Sequence, residues 1–346
     1  MKILINTPCL AEQGGVANHY KGLKPYWSET VHYNFVAGRK GVSGVVLLPF
    51  DLIVFFFKLL FGNYDVVLLN PSLGKTALKR DALFLKIASW FKVKKLVFFH
   101  GWKEDLAFEI TENSTWFLEH FGKADAFLVL AEAFKIQMQN WGVSKPIYLT
   151  TTKVDDSLID GFVAENKQFQ STLLFLARVE PYKGALIALN AFEILKEKYP
   201  SLKFLVVGDG SELPAMKKVV SDREIKDVQF LGSLSGKHLV NAFKNSDIYM
   251  LPTDGEGMPT TVLEAMAFGL PVVTRPVGGL NDFFKEESMG ALVESKNAKD
   301  FAAAIEKFLV NEECLSKTST YNHSYAKQHF MASKVAKNLE VIFHNV

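Results

Sequence analysis

The chain has 346 residues, 49% hydrophobic and 22% charged, with 23 glycines and 12 prolines. That composition gives a globular protein with material for two cores and excludes disordered, collagenous and disulfide-stapled chains. The net charge of +2 is unevenly spread. Residues 1–100 carry 13 basic against 5 acidic side chains, residues 101–165 carry 5 against 11, and the remainder balances. The basic first hundred residues suit either a solvated face or an anionic partner such as a lipid surface.

The first predicted element is a strand, Lys2–Asn6, and the segment around it lacks the long apolar run and cleavage site of a leader. Strands are then expected at Val31–Val36, Val66–Asn70, Lys95–His100, Ala126–Leu130 and Pro146–Leu149, with helical patterns such as Lys79–Phe91 and Glu132–Trp141 between them. The apolar stretch Val42–Phe61 is interrupted by Pro49, Asp51 and Lys58, which argues against a spanning helix. A buried helix of the first domain is the expectation there, and a partly exposed face at a bilayer interface is the functional alternative. A polar, pattern-poor segment, Lys153–Gln170, follows. The rhythm restarts with strands at Thr172–Ala177, Lys203–Gly208, Val228–Leu231, Ile248–Leu251 and Pro271–Thr274. Helices are expected at Ala185–Tyr199, Leu213–Ser221, Lys237–Asn245 and Thr260–Phe268. The expectation is α/β: two doubly wound Rossmann-like domains, 1–165 and 166–330, facing an interdomain cleft. A final helix within 331–346 is expected to cap either domain. The two cysteines, Cys9 and Cys314, are far apart and suggest a reducing compartment.

Polar residues gather at the carboxyl ends of these strands, where open α/β sheets bind ligands. After Ile248–Leu251 comes Asp254-Gly-Glu256-Gly257-Met258-Pro259-Thr260-Thr261, with Glu264 just inside the helix that follows. A loop entering a helix offers unpaired N–H groups and the positive end of the dipole to a phosphate. Glu256 and Glu264 suit sugar hydroxyls, although a cap and a surface carboxylate also fit. Arg178 and Lys183 leave the preceding domain strand five residues apart and can straddle a diphosphate, or can be solvated loop charges. Gly208 and Gly210 permit close backbone approach to a ligand or a tight strand-to-helix turn, without matching the dinucleotide fingerprint. In the first domain, Gly14-Gly15, Asn70 with Ser72, and His100 occupy equivalent strand ends.

Together these segments resemble retaining glycosyltransferase family 4, of the GT-B fold. Glu256 to Glu264 is similar to that family's E-x7-E motif, within EGMPTTVLEAMAFGLPVV and the following Val277-Gly278-Gly279; ARVEPYKG resembles its R-x4-K-G loop. The resemblance is specific over about 171–295 and scattered in the first domain. It implies a transferase moving a sugar from a nucleotide sugar, UDP-linked first and GDP-linked second, to a glycan or lipid-linked acceptor, and the basic, Phe-rich first domain suits a polyprenyl-diphosphate-linked sugar in surface polysaccharide or O-antigen assembly. Arg178 and Lys183 then hold the diphosphate, Glu264 the ribose, Glu256 the transferred sugar, and the amides near Pro259 the phosphates. Gly15 meets the donor phosphates and His100 the transferred sugar. The implied site needs no metal or cofactor, the protein would be cytoplasmic and at most peripheral on the inner membrane face, and no nucleic acid is a partner. A front-face displacement is favoured, with Glu104 and Asp105 left as candidates for a two-step route. Rival readings are a nucleotide-sugar epimerase, a phosphorylase, or a non-catalytic binding module.

Overall fold

A computed structural model describes every residue of the chain except Gln13 and Lys40. The chain divides into two compact units, Met1–Lys153 with Ala332–Val346, and Val154–Met331. The expected boundary at 165 thus lies inside the second unit. The reason is backbone pairing: Val154 N–H donates to the Phe330 carbonyl at 2.8 Å, and Val154 bridges Met331 in parallel.

The first unit is built on a six-stranded parallel sheet: β1 (Lys2–Pro8), β2 (Thr30–Val36), β3 (Val66–Leu69), β4 (Lys94–Phe98), β5 (Ala126–Val129) and β6 (Ile147–Leu149). The strand order is β2-β1-β3-β4-β5-β6, so the winding reverses between β1 and β3. Central strands of a sheet covered on both faces read as unbroken apolar runs. VVLL in β3 and AFLV in β5 are buried at every position, whereas edge strand β2 alternates. The helices are α1 (Gly15–Leu23), α2 (Gly44–Gly62), α3 (Lys75–Ala88), α4 (Glu104–Glu112), α5 (Thr115–Phe121) and α6 (Glu132–Asn140). Much of the core is aromatic: Phe55 meets Phe84 edge-on at 5.1 Å, and Trp102 stacks on Phe134 at 4.4 Å.

The second unit repeats the plan with β7 (Thr172–Leu176), β8 (Lys203–Val207), β9 (Val228–Gly232), β10 (Ile248–Leu251), β11 (Val272–Thr274) and β12 (Gly290–Leu292). Their order is β12-β11-β10-β7-β8-β9, all parallel, with the reversal between β7 and β10. The helices are α7 (Ala185–Lys198), α8 (Leu213–Asp222), α9 (Gly236–Lys244), α10 (Thr260–Ala267), α11 (Ala298–Leu309) and α12 (Glu312–His329). A buried carboxylate ties the entry segment to β10: Asp247 Oδ2 accepts from the Gln170 and Thr172 amides at 2.9 and 2.8 Å.

One further helix, α13 (Ala332–Asn345), belongs to the first unit. Its buried Glu340 accepts from the Ser28 and Glu29 amides at 2.7 and 2.9 Å and from the Ser28 hydroxyl at 2.6 Å.

The expectation of a buried helix at Val42–Phe61 is corrected. α2 forms there, but only Asp51, Phe55 and Leu59 are buried. A sequence that is apolar almost all round cannot reveal which face is covered.

Candidate functional site

Each unit gathers polar side chains where its strand order reverses, the place at which open α/β sheets form a crevice. In the first unit Asn70, just past β3, is the hub. Its Nδ2 donates to the carbonyls of Asn6 and Leu68 at 2.9 and 3.3 Å, which fixes the amide orientation. Oδ1 therefore accepts from the Tyr20 hydroxyl and from His100 Nε2, the latter at 2.9 Å. With Nε2 carrying its proton, the neutral His100 ring presents Nδ1 as an acceptor. Burial holds the His100 pKa well below its ordinary value, and neighbouring His19 adds to the effect. His19 is buried against Tyr20, Phe98 and His100, neither ring nitrogen has a hydrogen-bond partner among the described residues, and burial pushes its pKa down to about 3.

The loops after β3 and β4 are joined: Leu73 N–H donates to the Gly101 carbonyl at 2.7 Å and His100 N–H to the Pro71 carbonyl at 3.2 Å. Half-buried Ser72 lies beside Gly101, where an added Cβ would sit 3.1 Å from the Ser72 hydroxyl. Among the described residues, nothing crowds Gly14 and Gly15 where they enter α1, and no side chain caps the helix. Glu104 and Asp105 are exposed in the first turn of α4.

In the second unit the loops after β7 and β10 meet. Lys183 Nζ pairs with Glu256 Oε1, both side chains largely covered, and the Thr253 hydroxyl donates to the same oxygen at 3.2 Å. Arg178 donates to the Tyr182 hydroxyl, and both Arg178 and Lys183 lie against the Tyr182 ring, at 5.7 and 5.3 Å from its centroid. The turn at Gly184 holds Lys183 in place: its φ is +74°, and a Cβ there would lie 2.3 Å from the Pro252 carbonyl oxygen.

Pro259 opens α10, whose first turn has no side-chain cap. Thr260 and Glu264 are half-buried on this helix, and Met258 and Pro259 are buried. Thr261 is oriented from below. Buried Tyr249 donates to the Leu176 carbonyl at 2.9 Å, so the Thr261 hydroxyl donates to the Tyr249 oxygen at 2.7 Å. Burial raises the Tyr249 pKa, so its proton stays in place. Gly257 is braced by Gly279, whose amide donates to the Gly257 carbonyl at 2.8 Å.

Gly208 and Gly210 pack closely against the neighbouring loop, as a tight strand-to-helix turn requires. A Cβ on Gly208 would lie 1.9 Å from the Ala177 carbonyl oxygen, and one on Gly210 would lie 2.3 Å from that of Val179. Both glycines serve loop-against-loop packing around the segment that carries Arg178. Sequence reasoning missed Tyr20 and His19, which lie on the helix after Gly14-Gly15. It also missed Tyr182, Thr253 and Tyr249, which support Lys183, Glu256 and Thr261. Tyr182 was within reach, being the aromatic between two cations in ARVEPYKG.

Comparison with known proteins sets this geometry in context. An uncharacterised glycosyltransferase of Haemophilus influenzae is 31% identical over 151 residues, 43% of this chain and 41% of the relative. The amylovoran biosynthesis glycosyltransferase AmsK of Erwinia amylovora is 29% identical over 140 residues, 38% of this chain and 34% of the relative. The chain thus spans well under half the length of these curated relatives. Among solved structures, Anabaena HepE in complex with UDP and glucose superposes with a TM-score of 0.74 over 100% of both chains at 16% identity. That likeness shows the fold: two doubly wound Rossmann-like domains of the GT-B type. Residues 162–328, nearly the whole of the second unit with its Arg178, Lys183, Glu256 and Glu264, match the family described as Glycosyl transferases group 1.

Proposed function

We propose that the protein is a retaining glycosyltransferase that takes a sugar from a nucleoside-diphosphate sugar, UDP-linked in first place and GDP-linked in second. The acceptor is a glycan or lipid-linked saccharide of surface polysaccharide assembly, at the cytoplasmic face of a membrane. The observation that carries this reading is the Lys183–Glu256 pair, which joins two loops at the β7/β10 reversal beside Arg178 and the uncapped start of α10. The group 1 match over the same residues supports it. So do relatives named for polysaccharide synthesis and a neighbour of the same fold bound to UDP and glucose.

In this proposal the resting ion pair opens when donor binds. Lys183 and Arg178 turn to the diphosphate, and Glu256 accepts from hydroxyls of the sugar. Glu264 accepts from the ribose, and the first-turn amides of α10 meet phosphate oxygens. The acceptor hydroxyl oxygen forms its bond to the anomeric carbon on the face from which the leaving group departs. The anomeric carbon–oxygen bond breaks, and its electron pair goes to the diphosphate. The hydroxyl proton passes to a phosphate oxygen. Fixed cations facing the departing diphosphate are the main electrostatic contribution, and no metal is required in this scheme. His100 Nδ1 accepts from a sugar hydroxyl at the first unit's strand edge.

The test is thermal unfolding with UDP, GDP, ADP and their sugar conjugates. A nucleotide at a hundred times its dissociation constant adds about 2.7 kcal/mol, a shift of several degrees. One nucleotide should raise the midpoint, and Glu264→Ala should lower that nucleotide's affinity without unfolding the chain. Absence of a shift with every nucleotide, or unchanged affinity in Glu264→Ala, overturns the donor assignment.

A further inference from the structure

The donor-site reading makes no use of α2, the one helix among the described residues that is long and apolar enough to cross a membrane. One stripe of it is fastened to the first unit. Phe55 is fully buried, Asp51 is gripped by both Nη atoms of Arg39, and Lys58 Nζ donates to the Tyr33 carbonyl at 2.9 Å. The opposite stripe, at helical spacing, is Val46, Phe50, Ile53, Phe57, Leu60 and Phe61, each between 47% and 76% exposed. Phe57 and Phe61 stack on each other at 6.1 Å within it.

A contiguous apolar face of this kind marks a contact surface. Its border is informative. α2 and α3 both run back to the amino ends of the strands that follow them, so their carboxyl ends lie together; Phe56 meets Phe91 at 5.5 Å and Trp90 at 6.4 Å. Trp90 is 62% exposed, and within four residues of it stand exposed Lys86, Lys92 and Lys94.

We infer that this face docks on an anionic lipid bilayer, with α2 lying in the plane of the interface. The apolar stripe enters the acyl boundary, Trp90 sits at headgroup depth, and the lysines meet lipid phosphates. Spanning is excluded by the fastened stripe, since it would draw the Asp51–Arg39 pair and Phe55 out of the fold. The orientation suits a membrane-borne acceptor. The amino end of α2 follows β2 at the carboxyl edge of the sheet, the edge that carries Asn70 and His100.

The test is co-sedimentation of the full chain with phosphatidylcholine vesicles, with and without phosphatidylglycerol. Binding should be stronger by about tenfold or more on the anionic vesicles and should weaken as salt rises. A variant combining Ile53→Gln, Phe57→Gln and Phe61→Gln should lose vesicle binding while keeping its nucleotide-induced thermal shift. Lys86→Glu with Lys92→Glu and Lys94→Glu should lose the preference for anionic lipid. A chain that stays in the supernatant with both vesicles overturns the inference, as does a glutamine variant that sediments like the parent. So does a vesicle-free dimer that the glutamine variant dissolves, which would assign the face to a second copy. Nucleotide stabilisation reports on the donor site separately, so failure of docking is distinguishable from failure of the proposed activity.

Discussion

Asn70 shows how one side chain can organise a strand end. Its two donors are spent on backbone carbonyls, so its oxygen is left to orient Tyr20 and His100. The strand-end position of Asn70 and His100 was legible in sequence, because an apolar run stopping at a polar residue marks a strand's carboxyl end. The roles of Tyr20 and His19 were not, because they depend on α1 folding back over that edge. His19 also makes a pH prediction. Its pKa is about 3 in the fold against an ordinary 6.5, so the folded chain keeps it neutral while the unfolded chain protonates it below pH 6.5. Its contribution is therefore present above pH 6.5 and is lost as pH falls from 6.5 towards 3, by about 2 kcal/mol at pH 5. His19→Phe, which keeps a ring against Phe98 and removes no hydrogen bond among the described residues, should reduce the acid sensitivity that His19 shares with buried His100 in urea denaturation at pH 7.5 and 5. An unchanged pH dependence would mean that His19 is charged or hydrated in the native state.

At the level of elements, the parallel strands were the most legible feature, because burial on both faces writes them as apolar runs bounded by polar turns. β12 was missed because Gly290-Ala291-Leu292 holds no β-branched or aromatic residue to mark a strand, and α12 was missed because its polar sequence buries a narrow stripe that includes Ser319, Asn322 and His323. The loop before α10 was legible through its chemistry, but its foundation was not. Gly278, at φ +52°, lies under that loop, and a Cβ there would stand 2.2 Å from the Glu256 carbonyl oxygen and 2.3 Å from that of Gly257. Gly278→Ala should therefore displace the loop. We expect destabilisation of about 1–3 kcal/mol and loss of most of the nucleotide-induced shift in midpoint. A variant that kept the parent's nucleotide response would show that the loop adapts without this support.

For the whole molecule, two sheets with two cores should give two partly independent transitions in calorimetry. Glu340→Ala removes the acceptor of three hydrogen bonds that tie α13 to the Ser28–Glu29 turn. It should lower the first unit's transition by about 2 kcal/mol, whereas UDP should raise the second unit's. If Glu340→Ala moves the nucleotide-responsive transition instead, the two units unfold as one.

The placement of α13 also bears on synthesis. The first unit is assembled from segments on either side of the second, so its sheet leaves the ribosome long before α13 does. At roughly 5–20 residues per second, translating the intervening unit takes on the order of ten to forty seconds. During that interval the second unit can complete its own core, while the nascent first unit still exposes the surface that α13 covers. The half of the protein translated first is thus the half finished last, and its uncovered surface gives a holding chaperone a defined window in which to act.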